Sequence, residues 1–243
     1  MVSVIAHRGV WSDTVRENSL AALSHALQKH FFIETDMRVT RDRKIVLSHD
    51  GNLTRLFGNP SLIGEKDAAD LPEICAGDVF FQHLRRHKST AFIHVKELSA
   101  LSILADLITR SGTTGHCILF EDGANTCAFS ERCRQAFPGL RTALHLRSLS
   151  DCEKARTVTS NALWLDEETA PWITKSVLFK IKSGSAGIYI VSPEVWGSPL
   201  DRSNIEGLWQ RWAHWGVDGI CSDWPDHLQT VINVKVKERA RNT

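Results

Sequence analysis

The sequence lacks a dominant charge. Over 243 residues, 29 lysines and arginines stand against 28 aspartates and glutamates, a formal net charge of +1. Phosphate backbones and anionic bilayers are drawn in by strong positive fields, so nucleic acid is not an expected partner. The chain also lacks any run near the ~18 apolar residues of a membrane span, and its start, Met1-Val-Ser-Val-Ile-Ala-His-Arg-Gly, has neither the basic nor the long apolar region of a secretory signal. Stable membrane insertion is therefore not expected, and the chain reads as cytoplasmic. The six cysteines, Cys75, Cys117, Cys127, Cys133, Cys152 and Cys221, form no C-x-x-C pair and no Cys/His block with zinc spacing, so they read as reduced thiols. Hydrophobic residues at 42% and charged residues at 23% are ordinary globular values, which excludes disorder, collagen and coiled coil. Nothing in the sequence fixes an oligomeric state.

What the chain does have is alternation. Short apolar runs at 2–6, 31–37, 91–95, 117–120, 142–146, 162–165, 187–191 and 219–222 read as strands. Segments of helical period lie between most of them, at 19–29, 100–110, 130–136, 150–157, 171–180 and 204–215, with a last one at 227–237. Eight strands, each followed by a helix, in about 250 residues is the arithmetic of a single (β/α)8 barrel, with an open doubly wound sheet as the alternative. One barrel domain then covers 1–243. Residues 44–48 (KIVLS) read as an extra strand, and 51–90, polar and punctuated by Gly and Pro, as an insertion after the second barrel strand. Arg85-Arg86-His87-Lys88 reads as a solvated turn in that insertion, and Trp209, Trp212 and Trp215, at helical spacing, as packing for the last helix pair.

Polar residues follow the apolar runs directly: His7-Arg8, Asp36, Lys96-Glu97, Glu121-Asp122, Asp166-Glu167-Glu168, Ser192-Pro193-Glu194 and Asp223. In a barrel these positions form the carboxyl-end rim, where active sites are built. Glu34 and Asp36 stand at i and i+2, on one face of an otherwise apolar strand. Two acids so close need a metal between them or a cationic partner, either an Arg clamp or Arg38 or Lys44 on a half-exposed strand. Oxygen ligands of this kind suit Mg²⁺ or Ca²⁺. His7 and His49 come from separate elements, and two imidazoles with an ordinary pKa of ~6.5 can act as base and acid in one turnover. Arg8 offers a fork of donors suited to a phosphate.

His7-Arg8-Gly9, Glu17-Asn18-Ser19, Glu34-x-Asp36 and His49-Asp50-x-x-Leu53-x-Arg55, together with the ending from Trp215 to Asp226, resemble the glycerophosphodiester phosphodiesterase family. The resemblance is dense over 4–55 and 215–226 and thin between 100 and 185. It implies a (β/α)8 barrel with an insertion after the second strand and one divalent metal held by Glu34 and Asp36. It also implies His7 and His49 as the acid/base pair, and Arg8 and Lys96 as contacts to the phosphate. Trp224 and Trp196, near predicted rim positions, are candidates for the wall of the substrate pocket, Trp224 among the substrate-binding residues. Where family members usually carry Glu-x-Lys, this chain has His94-x-Lys96. His94 either ligates the metal as a nitrogen donor or leaves it to two carboxylates, water and the substrate phosphate, so Mg²⁺ is expected first, then Mn²⁺ or Zn²⁺, with Ca²⁺ most weakened.

The function implied is a metal-dependent phosphodiesterase of lipid metabolism that hydrolyses a small glycerophosphodiester to glycerol phosphate and an alcohol. Two alternatives stand beside it. One is a phospholipase D-like phosphodiesterase on lysolipids, for which the loops at 50–60 and 198–204 read as too polar. The other is a catalytically weakened barrel acting as a binding protein.

Overall fold

The computed structural model describes residues 2–122, 125–168, 170–182 and 186–241, the last eight of these as backbone. In chain order the elements are β1 (Ser3–His7), α1 (Leu20–Gln28), β2 (Phe32–Val39), β3 (Ile45–Leu47), β4 (Asn52–Leu53), α2 (Thr54–Phe57), β5 (Asn59–Leu62) and α3 (Gly77–His87). There follow β6 (Ala91–Val95), α4 (Leu101–Ser111), β7 (Cys117–Phe120), α5 (Thr126–Ala136), β8 (Arg141–Leu146), α6 (Leu149–Ala155) and β9 (Ala162–Leu165). The chain ends with α7 (Lys175–Ile181), β10 (Gly187–Val191), α8 (Arg202–Trp215), β11 (Gly219–Ser222) and α9 (Pro225–Arg241).

Strands β1, β2, β6, β7, β8, β9, β10 and β11 pair in parallel, and β1 joins both β2 and β11, so the sheet closes. The expected (β/α)8 barrel is therefore the observed fold, and each of its eight strands falls within two residues of a predicted run. Helices form where an apolar stripe meets a good start signal. In α1 the Ser19 hydroxyl accepts from the Ala22 amide at 3.2 Å, and Ala22, Leu23, Ala26 and Leu27 make the buried face. In α8 Asp201 caps the start, Trp209 and Trp212 are buried, Trp215 is partly so, and Gly216 at φ +81° ends the helix.

The segment 51–90 does not stand as one excursion. β3 lies antiparallel on β2, and β4 and β5 form a short separate hairpin. α3, in contrast, packs between α1 and α4 in the outer ring, with Phe80, Phe81 and Leu84 buried. Arg85, Arg86 and His87 are its last turn, a position where cations complement the helix dipole, and not a loop.

Alternation along each strand divides the core in two. Outward side chains meet the helices, whereas inward ones, including Ile5, Phe92, Ile118, Phe120, Ala143, Ala162, Trp164, Val191 and Cys221, fill the barrel. Phe92 and Phe120 pack on Trp164 with centroids 4.8 and 5.1 Å apart, closing the barrel beneath its carboxyl-end mouth.

Candidate active site

The period of two that places Ile5, Phe32, Phe92, Phe120, Ala143 and Trp164 inward also places what stands two residues further along each strand. Those residues are His7, Glu34, His94, Asp122, His145 and Asp166. All but Asp166 line a cavity of about 360 Å³ floored by Phe120 and Trp164, together with Arg8, Asp36, His49, Lys96, Arg147, Glu168 and Trp196.

Parallel register sets the neighbours. His7 pairs across with Glu34, and Asp36 with His94. Glu34 and Asp36 are 3% and 1% exposed, so the half-exposed alternative falls away, and Arg38 is turned onto Glu97 at 2.6 Å. Asp36 stands 3.1 Å from Arg8 Nε, 3.2 Å from His94 Nδ1 and 3.6 Å from Lys96 Nζ, and it accepts from Asn18 Nδ2 at 3.1 Å. Burial would raise its pKa, but His94, Arg8 and Lys96 hold it well below the usual carboxylate range. Glu34 goes the other way: burial, then the charge of Asp36, pushes its pKa up. Its Oε2 is buried without a hydrogen-bond partner and lies 3.7 Å from His7 Nε2.

An orphaned carboxylate oxygen beside a second, ionised acid is what a cation site looks like before the cation is counted. Ligand atoms of Glu34, Asp36 and His94 all lie within 4.8 Å of one another. Two carboxylates and an imidazole suit a divalent ion, so the residues present fit a metal here.

Arg8 reaches the site because the chain turns sharply after β1. Arg8 and Gly9 both have positive φ, +56° and +91°, and a Cβ on Gly9 would sit 2.7 Å from the Ala22 carbonyl carbon. Arg8 Nη1 donates to Glu17 Oε1 at 2.9 Å, Arg55 clamps Glu17 through Nη1 and Nη2, and Arg55 Nε holds Asp50 at 2.7 Å. Asp50 Oδ1 in turn lies 2.7 Å from His49 Nδ1. The motif residues 8, 17, 49, 50 and 55 are thus one chain of ion pairs.

The two histidines have opposite proton preferences. Burial opposes charge on His7, yet the bond to Asp223 (Nδ1 to Oδ1, 2.7 Å) and the charge of Glu34 outweigh it and raise its pKa. For His49 burial dominates and the pKa is lowered.

Asp223 was noted in the sequence only as a rim residue, and the histidine partner it provides lies 216 positions away. His145 was missed altogether. It is 2% exposed, its Nε2 is bonded to buried Asp166, and its Nδ1 stands 3.2 Å from Asp122 Oδ1. Asp122 also faces His94 Nε2 at 3.1 Å, and against the effect of burial His145 and His94 hold its pKa far down. The inward alternation of β8 was the available signal for His145.

Trp224 is not brought into the cavity. With Asp223 turned to His7, the next residue leaves the barrel face, and its ring lies 6.4 Å from Trp209 with the Arg202 guanidinium 5.5 Å over it. Trp196 does line the wall. Among the described residues no helix is long and apolar enough to cross a membrane.

Comparison with known proteins adds an independent result. Residues 7–116 match the model of the glycerophosphoryl diester phosphodiesterase family. Human "Lysophospholipase D GDPD3" is 41% identical over 68 residues, covering 28% of this chain and 21% of the relative. Rat "Lysophospholipase D GDPD1" is 34% identical over 88 residues, covering 35% and 28%. The matches thus span 21% and 28% of those relatives' own length. Solved structures match over nearly all of both chains. A structure described as a "putative glycerophosphodiester phosphodiesterase" from Galdieria sulphuraria has a TM-score of 0.79 at 18% identity, covering 96% of this chain and 98% of that one. An Oleispira antarctica phosphodiesterase in complex with the product sn-glycerol-3-phosphate has a TM-score of 0.75 at 17% identity, covering 95% and 96%. At these identities the likeness speaks for the fold. Residues 7–116 thus resemble the glycerophosphoryl diester phosphodiesterase family in sequence, and nearly the whole chain shares the barrel fold of those solved structures.

Proposed function

We propose that the protein is a metal-dependent phosphodiesterase that cleaves a glycerophosphodiester to glycerol phosphate and an alcohol. The observation that carries this reading is the meeting, in one cavity, of two histidines with opposite proton preferences, two cationic side chains and a buried carboxylate pair with an unpartnered oxygen. Arg8 and Lys96 bind the phosphate oxygens. A divalent ion held by Glu34, Asp36 and His94, Mg²⁺, Mn²⁺ or Zn²⁺ in preference to Ca²⁺, supplies charge neutralisation at the phosphate when bound. His49, kept neutral by its lowered pKa and tied through Nδ1 to Asp50, takes the proton of the attacking hydroxyl at Nε2. His7, kept charged by Asp223 and Glu34, gives its Nε2 proton to the leaving alcohol. The attacking hydroxyl belongs to water or to the substrate's own glycerol, and a cyclic phosphate product distinguishes the second from the first.

The test is a panel of phosphodiesters with each of these metals, following release of glycerol phosphate. Release that needs a metal is expected. Tight metal binding with no turnover of any diester would favour the binding-protein alternative.

One observation favours a lysolipid substrate as the second reading. Leu98, Leu149, Leu200 and Trp224 are among the most exposed large apolar side chains, and they lie in the segments that follow β6, β8, β10 and β11 at the mouth. An apolar rim of this kind fits an acyl chain, and the human and rat relatives carry the name lysophospholipase D. Faster hydrolysis of lysophosphatidylcholine than of glycerophosphocholine would decide for it.

A further inference from the structure

His94 stands near the end of β6 with its ring stacked on Phe120, the centroids 4.7 Å apart and the planes 18° from parallel. Stacking fixes the plane of the imidazole, so its two nitrogens face different neighbours. Nδ1 faces the cation side, 3.2 Å from Asp36 Oδ1 and 3.4 Å from Lys96 Nζ. Nε2 faces the segment after β7, where Asp122 Oδ2 lies 3.1 Å away.

A neutral imidazole has one N–H and one lone pair, and the group beside one nitrogen decides what the other can offer. The Asp122 carboxylate only accepts, which favours the proton on Nε2. The Lys96 ammonium only donates, which favours the lone pair on Nδ1. Asp36 by itself would draw a proton to Nδ1, and an ion shared by the two atoms removes that demand. Asp122 and Lys96 therefore agree on the tautomer that presents a lone pair beside Asp36.

Asp122 is partly exposed, and its position comes from the strands beyond it. Its Oδ1 stands 3.2 Å from both His145 Nδ1 and Arg147 Nη2. Those two side chains converge on buried Asp166, whose Oδ2 is bonded to His145 Nε2 and lies 3.4 Å from Arg147 Nε, while its Oδ1 accepts from the Glu168 amide at 3.1 Å. The carboxyl ends of β9, β8, β7 and β6 are thus tied in turn through Asp166, His145 with Arg147, Asp122 and His94. Two clamps hold one oxygen of Asp122, and the other is left for His94.

We infer that Asp122, clamped by His145 and Arg147 on Asp166, is a positioning residue of the cation site: it accepts the Nε2 proton of His94 and so turns the Nδ1 lone pair to the ion. The inference rests on the reading of His94 as a ligand and adds what makes that histidine one. It gives His145, Arg147 and Asp166 their part as the support of this carboxylate.

The test is calorimetry of Mn²⁺ with the metal-stripped full chain. Asp122→Ala should weaken binding by about 10- to 100-fold, the usual loss when the partner of a ligating histidine is removed. Asp122→Asn keeps an acceptor of nearly the same shape and should lose less. In a His94→Glu background the loss from Asp122→Ala should shrink to less than about threefold, because a carboxylate at 94 has no ring proton to place and Asp122 beside it repels. In nitrogen NMR spectra of the Zn²⁺-loaded chain, His94 should carry its proton on Nε2. A loss as large in the His94→Glu background as in the parent chain, no loss in either, or a proton on Nδ1 would overturn the inference. His94→Ala separates it from the reading beneath. Unchanged Mn²⁺ binding in His94→Ala takes His94 off the ion and defeats the ligand reading and the inference with it. Weakened binding in His94→Ala with none lost in Asp122→Ala keeps the ligand and defeats the positioning role alone.

Discussion

On the side of the mouth formed by β1, β2 and the hairpin β4–β5, one chain of ion pairs is contained between residues 8 and 55: Arg8 with Glu17, Glu17 with Arg55, Arg55 with Asp50, and Asp50 with His49. On the side formed by β6 to β11 the pairs join one strand end to the next, His145 with Asp166 and His94 with Asp122, and across the seam His7 meets Asp223 from the opposite end of the chain. The first side, joined by His94 and Lys96 at β6, holds the groups that would bind the phosphate and cation, and all of these fall within the segment that matches the family model. The second side supplies carboxylates that orient histidines. The groups that would do the chemistry thus lie in the first 96 residues while one orienting partner, Asp223, comes from the far end of the chain, and the two sides should fail differently when altered.

The largest effect is expected on the first side. Asp36→Asn should weaken divalent-ion binding and lower turnover by at least about 10²-fold, because one ionised acid holds the cation, Arg8 and Lys96 together. Calorimetry with Mn²⁺ and release of glycerol phosphate are the measurements. Full activity in excess chelator, after stripping, would remove the metal from the mechanism.

His7→Ala and His49→Ala should each lower kcat by at least about 10²-fold with the far-ultraviolet circular dichroism unchanged. Near-normal turnover in either variant makes that histidine structural. With both present the pH profile should be bell-shaped. In the proposed mechanism His49 acts as base and must be neutral, so its lowered pKa would set an acid limb below ~6.5, and His7 acts as acid and must be charged, so its raised pKa would set an alkaline limb above ~6.5.

A change on the second side should be milder and diagnostic. Asp223→Asn should reduce kcat by about tenfold, as lost orientation does, and move only the alkaline limb, to lower pH, because Asp223 raises the His7 pKa. An unmoved limb would detach His7 from the profile.

His94→Glu joins the two sides. It should shift the metal preference back toward Ca²⁺, since a carboxylate replaces a nitrogen donor. An unchanged ranking among Mg²⁺, Mn²⁺, Zn²⁺ and Ca²⁺ would leave the ion to Glu34, Asp36, water and substrate. The smallest effect belongs to Trp224→Ala, expected to change kcat/KM on a small glycerophosphodiester by less than about threefold, because a ring outside the cavity removes no transition-state contact.

Short apolar runs were enough to read the strands, and period-two alternation along them the shared faces of Glu34 with Asp36 and of His94 with Lys96. The helix α3 was hidden although its buried Phe80, Phe81 and Leu84 have helical spacing, because the Gly- and Pro-punctuated stretch before it and the basic run at its end read as loop. Trp224 was misjudged by one position: the residue before it, Asp223, is the one that faces the cavity side through His7.

The sequence by itself determined which residues can do chemistry, because motif spacing and strand period are local properties carried by neighbouring side chains. Only closure of the barrel decided their environment. It brought the last strand against the first, set His7 on Asp223, buried Glu34 beside Asp36, and placed Arg147, just past β8, across the cavity from Arg8. Burial and long-range pairing set proton affinities and leave polar atoms unmatched, and neither quantity exists until strands far apart in the chain share one wall.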